Sequence, residues 1–348
     1  MTQLPDTMPA AVFMGLWDVT VEDRPTPKPG PGELLLEVSH CGLCGSDLHF
    51  LLEWGGRAGA IEGHEYSGTV AAIGTEVAGW ALGDRAIGGP SPRCGTCEFC
   101  RAQRPSLCIE RNSVAGDNGW QGAFAGYKVV NAAEALHVPD HLSLKHAALT
   151  EPLAVALHGI TRAGGAIPGT RWLVTGGGPI GFLSVAALKA LGVDDVVVSE
   201  PKEKRRELCE KLGARVITPD ELHVPAMPHD LVDEPFDVAL ECSGNGRAME
   251  AALAQLKRAG RLVLVGAGMA RPKFDPNRIL LNELVITGAF VYDHDGFPRA
   301  LDLLASGKLA NDLLVEPEDY PLSRLLDAAV GLHEGELAAK AMIVPRIS

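Results

Sequence analysis

The chain has 348 residues, of which 46% are hydrophobic and 22% are charged, and its formal net charge is −13. At roughly 150 residues per domain this length indicates two folded domains. The acidic balance counts against nucleic acid or an anionic membrane as a partner. The chain shows no signal-peptide pattern at its start and no apolar stretch of the ~20 residues that a membrane helix needs, so we expect a cytoplasmic protein.

Short strands are predicted for the first third of the chain. Segments 10–23 and 33–42 have strand-like patterns, and the Pro/Gly-rich segment 24–32 between them excludes a helix. Residues 66–89 continue the β pattern with glycines at the expected turns. This part of the chain therefore predicts a small, irregular β-barrel or sandwich.

The segment CGLCGSDLHF, residues 41–50, carries two cysteines three positions apart, Cys41 and Cys44. Such a pair is compatible with a redox dithiol, half of a zinc knuckle or one corner of a catalytic metal site. A redox pair would leave the following Ser46, Asp47 and His49 without a role. In a reducing compartment, cysteine clusters point to metal binding or catalysis rather than to disulfides.

Further metal-ligand candidates lie downstream of this segment. His64 and Glu65 follow Cys44 by about twenty residues, and Glu151 lies in the segment TEPLAVALHG. Cysteine, histidine and carboxylate are zinc ligands that together leave one coordination position open for water or substrate. The combination favours a catalytic zinc site.

Four more cysteines lie within fifteen residues at the spacing C-x2-C-x2-C-x7-C. They are Cys94, Cys97, Cys100 and Cys108. Four thiols suit a closed, structural zinc site, whereas the bacterial iron–sulfur run ends in x3-C-P, which is absent here. A zinc ribbon that binds nucleic acid is disfavoured, because this lobe lacks interleaved basic and aromatic residues.

From about residue 152, apolar strands alternate with helical segments. The strands are expected within 171–178, 196–200, 236–244 and 261–266, and the helices at 180–191, 202–213 and 247–260. This alternation predicts βαβ units and a parallel sheet.

A G-x-G-x-x-G motif follows the first of these strands and opens a helix. Its glycines allow a tight turn, close approach of a pyrophosphate and close helix–strand packing. Glu200 ends the second strand 19 residues after the last glycine, where a carboxylate accepts ribose hydroxyls and repels a 2′-phosphate. NAD is therefore favoured over NADP, although the cationic run at 202–206 is compatible with NADP. The predicted cofactor-binding residues are Gly176, Gly178, Pro179, Ile180, Gly181, Glu200 and Arg205.

The segments CGLCGSDLH, GHE, EPLAVALHG and VTGGGPIG, together with the four-cysteine lobe, resemble the zinc-dependent medium-chain alcohol dehydrogenases, in that family's order and over nearly the whole chain. The context of Glu151 is most similar to the sorbitol, butanediol and threonine dehydrogenase branch. The resemblance implies an α/β protein. A GroES-like irregular β-barrel catalytic domain, residues 1–152 and 291–348, would carry the zinc lobe at about 90–110. A doubly wound parallel-sheet Rossmann domain would span 153–290.

The resemblance also implies ligands and a proton path. Cys44 and His64 match the catalytic zinc ligands, and Asp47 matches the carboxylate that orients the histidine. The third ligand stays open between Glu65, Glu151 and water. Ser46 would pass the alcohol proton to the cofactor ribose, and His49 would release it to solvent. A bound zinc would supply the Lewis acid that favours the alkoxide, and hydride would pass to the nicotinamide.

Substrate and assembly are the least specific implications. Phe50, Trp54 and Trp120 lie in segments that line the substrate pocket in relatives, which favours an aliphatic or cyclic secondary alcohol and its ketone. The alternative is a polyol or vicinal diol. A zinc-free quinone reductase of the same superfamily would lack Cys44, His64 and the lobe. Relatives form homodimers or homotetramers, often through the end of the nucleotide domain, here near 283–290.

Overall fold

The computed structural model describes residues 4–88, 93–111 and 121–345. The chain divides into two compact units. The first comprises Met1–Glu151, Phe297–Gly307 and Val315–Ser348, and the second comprises Pro152–Gly296 and Lys308–Leu314. The first unit therefore contains segments that are far apart in the sequence.

Two β-sheets form the first unit. Strands β1 (Thr7–Gly15) and β2 (Asp18–Pro25) make an antiparallel pair. The larger sheet contains β3 (Glu33–Gly42), β4 (Glu65–Ile73), β5 (Arg85–Ile87), β6 (Tyr127–Asn131), β7 (Leu136–His137), β14 (Val315–Pro321) and β15 (Lys340–Val344). Its order is β14-β15-β3-β4-β5-β7, with β6 also paired to β3. Only the β14–β15 pair is parallel among these described pairings.

The first unit also contains short helices. Its main hydrophobic core lies between the β-sheets and the last helix, Leu325–Glu334. Alternating apolar residues of β1 and β3, such as Phe13 and Leu35, pack with Phe124 and Leu325. The α-helices are Gly45–Leu48, Glu98–Arg101, Leu144–Ala147, Gly296–Ala305 and Leu325–Glu334. A π-helix spans His49–Trp54, and 3-10 turns span Pro105–Leu107 and Leu322–Arg324. Helix Thr150–Arg162 begins in the first unit and continues into the second.

The second unit is a six-stranded parallel sheet with flanking helices. Its strands are β8 (Arg171–Thr175), β9 (Asp195–Ser199), β10 (Arg215–Ile217), β11 (Phe236–Glu241), β12 (Leu256–Leu264) and β13 (Val285–Gly288). The order β10-β9-β8-β11-β12-β13 is that of a Rossmann sheet, and it reverses between β8 and β11. Helices span Pro179–Ala190, Glu203–Lys211, Gly246–Ala254 and Pro276–Asn282, with 3-10 turns at Pro219–Glu221 and Asn311–Leu313. The predicted α/β fold class is confirmed.

One predicted boundary is wrong. The helix expected over 247–260 ends at Ala254, and β12 already begins at Leu256. Leu256 is buried and pairs with Phe236, after which a bulge separates it from the pairing of Arg261 with Val238. Burial of Leu256 against the neighbouring strand overrides the helical pattern of its segment. In the described part of the chain, no helix is both long enough and apolar enough to cross a membrane.

Candidate metal and dinucleotide sites

Cys44 and His64 lie side by side because two paired strands end next to them. Cys44 comes two residues after β3 and His64 directly precedes β4, and the antiparallel register places Gly42 opposite Glu65. Ligand atoms of Cys44, His64 and Glu65 all lie within 4.8 Å of one another. A thiol, an imidazole and a carboxylate at this spacing fit a single zinc ion.

The buried carboxylate of Asp47 lies next to both Cys44 and His64. Its side chain is buried; Oδ2 accepts a hydrogen bond of 2.9 Å from the backbone N–H of Cys44, and Oδ1 lies 3.8 Å from Nδ1 of His64. With Nδ1 facing the carboxylate, Nε2 of His64 is left for a metal. The structure therefore brings Asp47 to both predicted ligands.

The charges of the cluster also fit a cation. Desolvation lowers the pKa of His64, but negative charge on Cys44 and Asp47 outweighs it, and the pKa lies well above its usual range. Burial raises the pKa of Glu151 to about 7, although His64 opposes this shift. Several acidic groups thus share a buried region with few positive charges, which is the environment in which a divalent ion stabilises their ionised forms.

Lys340 is a member of this region that the sequence analysis missed. It opens β15, its side chain is 1% exposed, and Nζ donates 2.9 Å hydrogen bonds to the carbonyl of Leu43 and to Oε1 of Glu65. The available signal was a lysine at the head of the otherwise apolar strand KAMIV.

Glu53 is a partner of the predicted proton path that the sequence analysis missed. Ser46 is half-buried in helix Gly45–Leu48, and His49 begins the π-helix. Nδ1 of His49 lies 2.8 Å from Oε2 of Glu53, and its ring stacks on Trp54. Two side chains of one helix thus hold His49 in place.

Two of the predicted pocket residues, Phe50 and Trp54, are in contact with each other. The ring of Phe50 meets that of Trp54 edge-on, with centroids 6.0 Å apart. Trp54 is 44% exposed. Trp120 lies outside the described residues.

The four-cysteine lobe forms a second cluster. The ligand sulfurs of Cys94, Cys97, Cys100 and Cys108 all lie within 4.8 Å of one another. Sγ of Cys94 is 3.6 Å from that of Cys108 and 4.0 Å from that of Cys100. Tetrahedral zinc with Zn–S bonds of ~2.3 Å places sulfurs about 3.8 Å apart, so the four thiols fit this ion.

Titration of the lobe agrees with this fit. Backbone N–H groups of Thr96 and Cys97 lower the pKa of Cys94 to about 6, which favours the thiolate that binds metal. Desolvation, reinforced by neighbouring thiols, raises the pKa of Cys100 to about 12. Four adjacent thiols do not all ionise without a cation.

The glycine motif lies where β8 passes into helix Pro179–Ala190, at the point where the strand order reverses. Gly176 has φ of 91°, and a Cβ there would lie 2.9 Å from Cβ of Ser243. A Cβ at Gly181 would lie 1.8 Å from the carbonyl of Gly176. Gly178 caps the helix, and Pro179 and Ile180 form its first turn. Free N–H groups at this helix start suit a pyrophosphate.

The carboxylate of Glu200 accepts a hydrogen bond from the backbone of the glycine motif. Its side chain is buried, Oε2 accepts a 2.6 Å bond from the N–H of Gly177, and Oε1 accepts a 2.8 Å bond from that of Lys202. Each oxygen keeps a further lone pair for a ribose hydroxyl. Arg205 lies beside the motif, since a Cβ on Gly178 would be 3.7 Å from its guanidinium.

Glu241 is a second missed residue near the motif. It is fully buried at the end of β11 and accepts hydrogen bonds from the hydroxyl and N–H of Ser243 and from the N–H of Gly244. These bonds fix the turn that packs against Gly176. The sequence signal was an acid at the end of an apolar strand.

Comparisons with known proteins agree with this architecture. Residues 30–140 match the model of the alcohol dehydrogenase GroES-like domain, and residues 179–306 match that of zinc-binding dehydrogenases. Sorbitol dehydrogenase of Bacillus subtilis is 33% identical over 335 residues, which cover 93% of each chain.

Two solved structures are similar over nearly the whole chain. One is acetophenone reductase of Geotrichum candidum in complex with NAD, at 27% identity, TM-score 0.85 and 98% coverage of both chains. The other is 2R,3R-butanediol dehydrogenase of Bacillus subtilis, at 28% identity, TM-score 0.84, and coverage of 97% of this chain and 100% of the other.

A GroES-like unit with a thiol–imidazole–carboxylate cluster, joined in one chain to a Rossmann unit, defines a zinc-binding, dinucleotide-dependent dehydrogenase. The chain belongs to the zinc-dependent medium-chain alcohol dehydrogenase family. It is an oxidoreductase that acts on CH–OH groups and uses zinc and NAD(P).

Proposed function

We propose that the protein oxidises a secondary alcohol to its ketone, reversibly, at a catalytic zinc held by Cys44 and His64. The convergence of these two side chains with a buried carboxylate within 4.8 Å carries this proposal. Zinc bound there would supply the Lewis acidity that favours the alkoxide form of the substrate. Asp47 keeps His64 in the orientation and tautomer that metal binding needs.

The proton leaves through this chain's own side chains. Ser46 accepts it from the alcohol and passes it to the cofactor ribose, and His49 delivers it to solvent. The half-buried position of Ser46 and the bond between His49 and Glu53 support these roles. Imidazole suits the outlet because it exchanges protons near neutral pH.

The remaining site residues have supporting roles. Cys94, Cys97, Cys100 and Cys108 hold a structural zinc, and the glycine motif with Arg205 receives the dinucleotide. Glu200 favours NAD over NADP, because its buried carboxylate lies at the end of β9 and would repel a 2′-phosphate. The predicted domain limits, 1–152 with 291–348 and 153–290, assign these roles to a catalytic and a nucleotide-binding domain.

We place the substrate among aliphatic or cyclic secondary alcohols. The aromatic pair Phe50 and Trp54 supports an apolar pocket, and a reductase named for acetophenone is among the similar structures. A polyol or vicinal diol is the second candidate, because the similar proteins also include sorbitol and butanediol dehydrogenases.

A homodimer or homotetramer is proposed as the assembly. The edge strand β13 and its neighbours expose large apolar side chains, among them Leu281, Val285 and Phe290. Exposed apolar groups beside a free sheet edge favour association. Light scattering after size-exclusion chromatography gives the mass directly.

The test is NADH formation by the purified, zinc-replete protein with cyclic, aliphatic and polyhydroxylated alcohols, repeated with NADP. Turnover on apolar secondary alcohols that vanishes in Cys44→Ser supports the proposal. Preference for sorbitol or 2,3-butanediol selects the second candidate. A protein that binds zinc only in the four-cysteine lobe would overturn the catalytic centre.

A further inference from the structure

We propose that the second unit carries a ligand site at the edge of its sheet where the strands begin, and that this site takes a monocarboxylate with an apolar body. A cavity of about 550 Å³ lies at this edge, beside the first residues of β8, β10 and β11. The glycine motif follows the opposite end of β8, so the cavity is separate from the candidate dinucleotide site. Its volume falls in the range of ordinary small-molecule pockets.

One wall of the cavity is formed by segment 222–235, which leads into β11 and is held by buried side chains. The buried guanidinium of Arg278 donates hydrogen bonds of 2.9 to 3.0 Å to three carbonyls of this segment. The buried amides of Asn282 and Gln255 donate to two more, at 2.8 and 2.6 Å. Five side-chain hydrogen bonds thus fix a segment whose described residues lie in neither helix nor strand. The wall is therefore a fixed part of the fold.

Two arginines provide the positive charge of this site. Arg171 and Arg215 are the first residues of β8 and β10, and both line the cavity. The guanidinium of Arg171 lies 4.9 Å from the centroid of the Phe236 ring, which supports one of its faces. Its Nε is buried and has no hydrogen-bond partner among the described residues, and the carboxylate of Asp195 lies 3.7 Å away. Arg171 thus retains a donor for a further anionic acceptor.

A carboxylate of the chain itself already lies between the two arginines. Oε2 of Glu234 accepts a 2.6 Å hydrogen bond from Nη2 of Arg171 and lies 3.9 Å from Nη2 of Arg215. The hydrogen bond from Arg171 lowers the pKa of Glu234 and so favours its ionised form. The side chain of Glu234 is nevertheless 67% exposed, so little stability is lost when it turns out to solvent. A ligand carboxylate that replaces it can bridge Nε and Nη2 of Arg171 side-on.

The other lining residues select the rest of the ligand. The apolar ones are Ile217, Leu222, Val224, Pro225, Leu231 and Phe236. Val224 is 60% exposed, so an apolar ligand body would remove from water a surface that the chain leaves uncovered. Glu221 and Asp233 also line the cavity, and these acids would repel a second negative charge on the ligand. The lining therefore favours a monocarboxylate over a dicarboxylate or a phosphate.

The experiment is calorimetric titration of the full-length protein with octanoate. Octanamide, which lacks the charge, and propionate, which lacks most of the apolar body, are the control probes. We expect octanoate to bind with a Kd below about 1 mM, and each control probe to bind at least about tenfold more weakly.

Variants assign the binding to the two arginines. Arg171→Met should weaken octanoate binding about tenfold or more, because charged hydrogen bonds are lost. Glu234→Gln should strengthen it by up to about fivefold, because the competing carboxylate is gone. Lys257→Met is the matched control: this lysine of β12 pairs with Asp237 but does not line the cavity, so the variant should bind octanoate as the wild type does.

Cys44→Ser separates this site from the candidate catalytic centre, where a carboxylate could bind a metal instead. Octanoate binding that persists in Cys44→Ser and weakens in Arg171→Met supports the inference. Three results would overturn it: a wild-type Kd above the stated limit, equal binding of octanamide, or binding that is lost in Cys44→Ser but unchanged in Arg171→Met. If Arg171→Met does not fold, Arg215→Met and Glu234→Gln decide the matter, because unchanged affinity in both would equally overturn the inference.

Discussion

The indole of Trp54 lies parallel to the imidazole of His49, with ring centroids 4.5 Å apart and planes 4° apart. Glu53, the residue between Trp54 and the rest of the π-helix, binds Nδ1 of the same imidazole at 2.8 Å. Trp54 thus has a structural partner in the proposed proton path, beside its expected place in a substrate pocket.

Trp54→Leu separates these two roles. If stacking positions His49, we expect kcat to fall by about two- to tenfold, the equivalent of the ~0.5–1.5 kcal/mol of an aromatic pair, with KM little changed. If Trp54 lines the pocket, KM and the order of preferred alcohols should change instead. Steady-state kinetics over several alcohols distinguish the two.

Trp80→Leu is the matched control. It removes a second indole–imidazole stack, between Trp80 and His137, at 3.7 Å and 17°. That pair belongs to none of the proposed sites, so kcat per folded molecule should stay near that of the wild type. An equal loss in both variants would attribute the Trp54 effect to general destabilisation.

The zinc content should depend on Cys44 but not on its neighbour Cys41. Cys44→Ser is expected to bind one zinc per chain instead of two and to lose turnover, because the thiolate proposed to bind the catalytic zinc is gone. Cys41→Ala should keep both ions, since Cys41 is a buried thiol outside the cluster. Metal analysis of the dialysed proteins measures this. Loss of zinc from Cys41→Ala would contradict the ligand assignment.

Removing zinc from the four-cysteine lobe should loosen that segment locally. After chelation, or in Cys97→Ser, we expect trypsin to cut after Arg101 about tenfold faster, because a metal held by the four thiols would fix the short helix that carries this residue. Mass spectrometry of the fragments locates the cuts. Glu98→Gln is the control, since it changes the same helix without removing a thiol. Equal cutting rates with and without chelator would argue against a metal in the lobe.

Glu200→Gln should weaken NAD binding and shift the preference toward NADP. The variant loses the negative charge and one of the two backbone bonds that hold Gly177 and Lys202. Loss of a charged hydrogen bond of ~1.5–3 kcal/mol predicts a rise in Kd for NAD of about tenfold or more.

Fluorescence titration with NADH and NADPH measures the two affinities. Glu203→Gln removes an equally charged but exposed side chain three positions on, and its affinities should match those of the wild type. If both glutamine variants behave alike, general charge rather than the position of Glu200 decides the preference.

The sequence predicted what depends on local spacing. The four thiols of the lobe lie within fifteen residues, and the glycine motif needs only one strand, one turn and one helix, so both patterns specify their own geometry. The parallel sheet of the Rossmann unit follows from the alternation of strands and helices, whereas its strand order does not. The proximity of Cys44 and His64, the proposed metal ligands, could be predicted because the resemblance covers both of their segments.

The features that the sequence analysis missed depend on contacts that no local sequence pattern encodes. Lys340 lies 275 residues from Glu65, and the register of β15 on β3 brings them together. The π-helix that aligns His49 with Glu53 and Trp54 departs from ordinary helical spacing. The bond of Glu200 to the N–H of Gly177 likewise arises only once β9 lies next to the glycine motif.

The pairing of β15 with β3 also sets an order of events during synthesis. Most of the Rossmann unit, residues 152–296, is one continuous stretch, so its parallel sheet can form while the ribosome is still translating. The candidate metal centre can be completed only later, because the lysine that pairs with Glu65 is at position 340. A nascent chain halted before that point would carry Cys44, His64 and Glu65 without the ammonium group that pairs with Glu65 in the folded protein.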